Sequence, residues 1–151
     1  MKKIVLAMCL MTSAFLLSSC YSIPESDAKV LADQLVAYIE QGEYDSASAF
    51  FCSDNDNGKS FSEFLDETEE KTTLDLQSGM AIKQYVDYSA THSDSYFGKP
   101  CAELEMEGVV DGQPVGLEVG LVETAGECKC FSFIVEYNGE SYQYLCHCID
   151  K

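Results

Sequence analysis

Apolar residues follow three rhythms along this chain: a nearly unbroken run at the start, a spacing of three and four to about residue 70, and alternation from about residue 81. The middle rhythm predicts helices. Ala28, Leu31, Leu35 and Ile39 line one side of a first helix, with Ser26 placed to cap its start and Gly42 to stop it. A second, short helix fits Glu43 to Phe51 and buries Tyr44, Ala47 and Phe51. A third fits Phe61 to Glu70, where Ser60 and Glu63 form a capping box and Phe61, Phe64, Leu65 and Thr68 form the apolar stripe.

The later alternation predicts half-buried strands separated by turn residues. Ile82 to His92 is the first, followed by a loop holding Gly98 and Pro100. In Ala102 to Val110 the residues Ala102, Leu104 and Met106 face one way, and Glu103, Glu105 and Glu107 face the other. Asp111-Gly112 turns the chain, and Val115, Leu117, Val119 and Leu121 continue the apolar face. After a turn near Ala125-Gly126, Phe131, Phe133, Val135 and Tyr137 do the same, and Asn138-Gly139 is the strongest hairpin signal before a last strand from Glu140 to about Ile149. The expected class is α+β, with two to three N-terminal helices packed on a curved antiparallel sheet of four to five strands.

The run Val36-Ala37-Tyr38-Ile39-Glu40-Gln41-Gly42-Glu43-Tyr44-Asp45-Ser46-Ala47 resembles the opening of small domains in the nuclear-transport-factor-2-like and cystatin-like group. There a first helix ends at a glycine, an acidic-aromatic pair follows, and a second helix packs back before a strongly bent sheet. The resemblance covers most of the chain in element order and includes many exported lipoproteins. It implies a fold and no function, since that fold hosts enzymes, binding modules and assembly subunits alike.

The opening apolar run is a targeting signal rather than a structural element. Lys2 and Lys3 supply a positive start and Ile4 to Leu17 an apolar stretch too short to span a bilayer, which needs about 20 residues. It leads into Leu17-Ser18-Ser19-Cys20, which resembles the lipobox of bacterial lipoproteins. The resemblance implies that residues 1–19 are removed, that Cys20 carries the lipid, and that residues 20–26 tether a single domain over 27–151. The two or three acyl chains it implies suffice for stable attachment, because one chain anchors only marginally. Tyr21, rather than Asp, suits delivery to an outer membrane or cell surface if the envelope is Gram-negative.

Charge then narrows the partners. Loss of residues 1–19 leaves seven lysines against 26 acidic residues, a net −19, and the chain holds no arginine. Phosphate recognition needs cations, so nucleic acid is excluded as a partner. The membrane through the lipid anchor, an envelope protein and a small ligand remain.

Cys52, Cys101, Cys128, Cys130, Cys146 and Cys148 follow the anchor, and an even number in an exported domain favours disulfides. Cys128-Lys129-Cys130 and Cys146-His147-Cys148 lie on strands joined by the Asn138-Gly139 turn. A three-residue loop, Tyr137 to Gly139, sets Cys130 against Cys146 and Cys128 against Cys148. A two-residue loop shifts every partner by one and sends the two cysteine pairs to opposite faces, while aligning Phe131, Phe133 and Val135 with Cys146, Tyr144 and Tyr142. The reading leans to the three-residue loop, although it places Glu136 opposite Glu140. Four thiolates on one face would also suit zinc or copper(I), but one-residue spacing lacks the turn that wraps a structural zinc, so no metal and no cofactor is expected.

Asp54-Asn55-Asp56-Asn57-Gly58 has the composition of a calcium loop but not its spacing, because the twelfth position falls on Phe64 instead of a glutamate. It reads as a polar turn. His92, placed by alternation on the core side with Val86 and Tyr88, is the one weak catalytic candidate. The leading expectation is a lipid-anchored, non-enzymatic envelope domain that binds a ligand or protein through the sheet's concave face or an exposed edge. The alternatives are a cavity enzyme of isomerase or dehydratase type in the same fold, and a cysteine-based metal-binding or redox module.

Overall fold

The structure, a computed structural model, describes residues 22–52, 54–55, 58–94 and 97–148. The lipobox and Cys20, with Ser53, Asp56, Asn57 and Ile149, lie outside these residues.

Helix α1 spans Glu25–Glu40 and buries Ala28, Leu31, Ala32, Leu35, Val36 and Ile39. It starts earlier than the expected Ser26 cap. Pro24 takes the cap position with φ −67°, and its carbonyl accepts from the Asp27 and Ala28 amides at 3.1 Å each. Proline's fixed φ suits a helix entrance, so Ser26 falls inside the first turn and its hydroxyl bonds Asp27 instead. Gly42, at φ +71°, reverses the chain after α1. Helix α2 covers Tyr44–Ser48 and stops short of the expected Phe51. The reason lies in the sheet, which claims the next residues for its own hydrogen bonds. Helix α3, Phe61–Thr72, has the expected capping box and buries Phe61, Phe64, Leu65 and Thr68.

Strands β2 (Ala81–Thr91), β3 (Cys101–Val110), β4 (Gln113–Thr124), β5 (Glu127–Tyr137) and β6 (Glu140–His147) form an antiparallel meander, and the two-residue β1 (Asp54–Asn55) pairs with the end of β6. The Asn138-Gly139 loop has two residues: Tyr137 pairs with Glu140, Val135 with Tyr142 and Phe133 with Tyr144. This corrects the three-residue expectation. Both turn residues take left-handed backbone, φ +54° and +80°, which Asn-Gly accommodates and which matches strand twist. The register also sets Glu136 beside Ser141 rather than Glu140.

A bulge in β5 then reverses what that register implied for the cysteines. Gly120 pairs with Ser132 but Leu121 pairs with Cys130, so Phe131 is the extra residue. Phe131 leaves the helix-covered face, on which alternation placed it, and packs at 5.0 Å against Phe97 on the far side. Cys130 moves the other way and is fully buried in the main core, with Cys146 in the same cluster.

Past Ser132 and Leu145 the β5–β6 ladder ends. The edge of β5 is taken by the chain leaving α2: the Cys130 amide donates to Phe50 at 2.7 Å and the Cys52 amide to Cys130 at 3.2 Å. Two residues further on, Asp54 and Asn55 pair with His147 and Cys146. The segment after α2 therefore serves both parting strands. The core between helices and sheet is aromatic, with Phe61 in ring contact with Phe51, Phe64, Phe133 and Tyr144 at 4.5 to 5.9 Å.

Candidate functional site

Six cysteines from four parts of the chain gather at one end of the sheet, where β3 and β5 begin and β6 finishes. Cys52 and Cys148 form a disulfide with Cα atoms 5.2 Å apart, joining the segment after α2 to the end of β6 across 96 residues. This is not the Cys128–Cys148 pairing that the three-residue loop implied. Cys101, Cys128, Cys130 and Cys146 are thiols. Cys101 lies with Cys148, Cys52, Val122, Phe97 and Phe131 in a small cluster on the far side of the sheet, and Cys130 and Cys146 lie in the main core.

Burial governs the chemistry of these thiols. It pushes Cys101 up to about 11, helped by Asp94 and Glu103, and Cys128 up to about 12, helped by Asp27 and Glu123. Cys130 is raised further, by burial first and then by Cys128 and Cys146. A protonated thiol is a poor nucleophile and a poor metal ligand. Among the described residues no group of three or more His, Cys, Asp or Glu side chains is placed to hold a metal ion.

His92 does not reach the core face. Two bulges in β2, near Lys83 and Val86, turn Val86 outward, 51% exposed, and together restore the alternation, so Tyr88 still packs against the core; the strand ends at Thr91, one residue before His92. His92 sits exposed just past the end of β2.

Between α1 and β2 runs a shallow polar cleft that periodicity gave no means to find, because its members come from two elements. The Tyr85 hydroxyl donates to Asp33 at 2.5 Å, and the Lys29 ammonium sits 4.8 Å over the Tyr85 ring while pairing with Glu25 at 2.6 Å. Burial, then the Asp33 carboxylate, hold the Tyr85 hydroxyl well above its ordinary value, so it is a proton holder rather than a base. The Tyr88 hydroxyl donates to the carbonyl of Ile23, a residue only 1% exposed. Part of the expected tether is thus folded into the domain.

The sheet face away from the helices gathers carboxylates from four strands. Across it Asp87 pairs with Glu105 and Glu105 with Glu118; one row on, Glu107, Gly116 and Glu136 align, and on the other side Glu103, Gly120 and Ser132. Glu103, Glu105, Glu107 and Glu136 are exposed, and the half-buried Glu118 is raised by burial first and then by Glu103, Glu105 and Glu136. Alternation in β3 announced three of these residues; the clustering with Glu118, Glu136 and Asp87 needed the register.

Comparison with protein-family models, with curated proteins and with solved structures returns no match. Among the described residues no helix is long and apolar enough to cross a membrane.

Proposed function

We propose that this protein is a bacterial lipoprotein, held on an envelope membrane by acyl chains on Cys20, whose single domain is a binding module rather than an enzyme. The anchor rests on the sequence Leu17-Ser18-Ser19-Cys20 after a short apolar run. The helix-then-meander order is in keeping with the lipoproteins of nuclear-transport-factor-2-like shape that the sequence resembles.

One observation carries the binding reading: the two faces of the sheet are opposites. In enzymes of the look-alike fold the reacting groups project into a cavity between helices and sheet. In this chain Phe51, Phe61, Phe64, Phe133 and Tyr144 fill that space ring against ring. The face beyond the helices carries Asp87, Glu103, Glu105, Glu107, Glu118 and Glu136, a charge that favours a cationic partner in the envelope. This open face, rather than the sheet's concave face or an exposed edge, is the binding surface we favour.

The test is mild crosslinking of the lipidated protein in envelope membranes, comparing the unaltered chain with a Glu105→Lys, Glu118→Lys variant. Loss of a crosslinked partner in a variant at least as stable to heat as the unaltered chain supports the reading. An identical set of crosslinks in both, or turnover of a substrate that survives the substitutions, sinks it. The cysteine-module alternative is less well supported, because burial keeps Cys101, Cys128 and Cys130 protonated at neutral pH.

A further inference from the structure

Where the chain enters the domain decides which way the domain faces. Ile23 is 1% exposed and its carbonyl is held by the Tyr88 hydroxyl, and Glu25 already opens α1. From Cys20 to Ile23 is three residues, which reach about 10 Å even when fully extended.

That entry point lies at one end of the molecule. Tyr88 is in the last third of β2, and the first turn of α1 is close enough to β5's first residues for Asp27 to act on Cys128. Farther along α1, Asp33 and Lys29 meet Tyr85, one step back along β2. Helix α1 thus starts near the end of the sheet that holds Thr91, Cys101, the Ala125-Gly126 turn and the cystine. The Asp111-Gly112 and Asn138-Gly139 turns lie at the opposite end. Strand β5, with 11 residues, separates the two ends by roughly 35 Å.

We infer that the end of the sheet carrying the Ala125-Gly126 turn and Thr91 is a membrane-facing surface, held against the headgroups of the bilayer into which the chain's own acyl groups insert. The inference rests on lipidation at Cys20. A flexible tether would let the domain tumble, but a folded Ile23 leaves too little chain for it to turn over. The charge pattern agrees. Lys99 and Lys129 stand among Asp27, Asp94, Glu123 and Glu127 at this end, so cations offset part of its acidity, whereas the row of Asp87, Glu105 and Glu118 on the open face has no lysine in it and would be repelled more strongly by anionic headgroups. The open face then stands side-on to the bilayer, within reach of a second envelope protein in the same membrane.

The experiment is paramagnetic relaxation of backbone amides in the full lipidated protein, placed in phosphatidylethanolamine and phosphatidylglycerol nanodiscs with gadolinium chelated to the headgroups. The Gly126 amide signal should be lost while the Gly139 signal is retained. Inserting a flexible Gly/Ser segment of about twelve residues before Ser22 should restore Gly126 and abolish the contrast. Equal broadening at Gly126 and Gly139 in the unaltered chain, or stronger broadening at Gly139, overturns the inference. The intact mass of the protein is read first. A chain without acyl mass on Cys20 overturns the lipoprotein reading itself, and an acylated chain without contrast overturns only the orientation.

Discussion

A methyl group added at Gly120 would sit 2.5 Å from the Phe131 ring and closer still to the Ser132 hydroxyl. Phe131 cannot give way easily, because it is the bulged residue and is packed against Phe97. Gly120→Ala should therefore destabilise the domain by about 1–3 kcal/mol, the usual cost of overpacking. Urea unfolding of the variant measures this, and a loss below about 0.5 kcal/mol would show that the bulge adapts. The disulfide is the second residue-scale lever. Cys52–Cys148 closes a separation of 96 residues, and a loop near 100 residues sets an entropic ceiling of about 4.7 kcal/mol. Cys148→Ala should cost roughly 2–4 kcal/mol, and reductant should lower the unaltered protein by a similar amount while leaving the variant unchanged. An equal response to reductant in both chains would place the stabilising link elsewhere.

Among the elements, α3 stands most clearly on its own sequence. Its capping box exists in full, with the Glu63 amide donating to the Ser60 hydroxyl at 3.1 Å and the Ser60 amide to the Glu63 carboxylate at 2.7 Å. Ser60→Ala should cost about 1 kcal/mol, read as a shift in unfolding midpoint at unchanged slope. Local signals of this kind were legible: the α3 stripe, the Glu103, Glu105, Glu107 alternation and the Asn138-Gly139 turn each depend on residues within a few positions of one another. What failed depended on distant chain. α2 ends at Ser48 because Cys130, some eighty residues away, draws Phe50 and Cys52 into the sheet. The expected side of Val86 and of Phe131 was lost to bulges, each of which inserts one residue and flips the alternation beyond it, and His92 falls just past the end of β2. The cysteines illustrate both limits together. The loop length was misjudged, yet the β5 bulge brings Cys130 to the same face as Cys146, the placement the three-residue count gave for a different reason.

At the scale of the whole molecule, a net charge of −17 on the full chain makes pH and salt the broadest controls on stability. Two groups of carboxylates act in separate windows. Glu118 and Glu69 are raised above their ordinary value of 4.5, by burial first and then by neighbouring acids. Each is a liability while ionised, and the liability is relieved as pH falls through its raised folded value towards 4.5. Glu63 is lowered, by its hydrogen bonds with Ser60, and Glu67 by Lys59. They contribute where they are ionised, above 4.5, and that contribution is lost only as pH falls below 4.5 through their folded values. Acidification from pH 7 therefore meets relief before loss. The melting temperature should rise on moving from pH 7 towards 5 and fall again below 4.5. Salt should act in the same direction as mild acid, because about 0.1 M shortens the screening length to roughly 10 Å, comparable to the spacing across the carboxylate face. Its stabilising effect should be larger at pH 7 than at pH 5, where fewer charges remain to screen. Glu118→Gln should stabilise the domain at pH 7 and low salt by a few tenths of a kcal/mol for a half-buried group, read as a higher melting temperature, and lose that advantage as pH falls towards 4.5. Calorimetric scans across pH 4 to 7 at two salt concentrations check all three, and a stability that declines steadily from pH 7 downward would mean that the open face does not carry the repulsion its register implies.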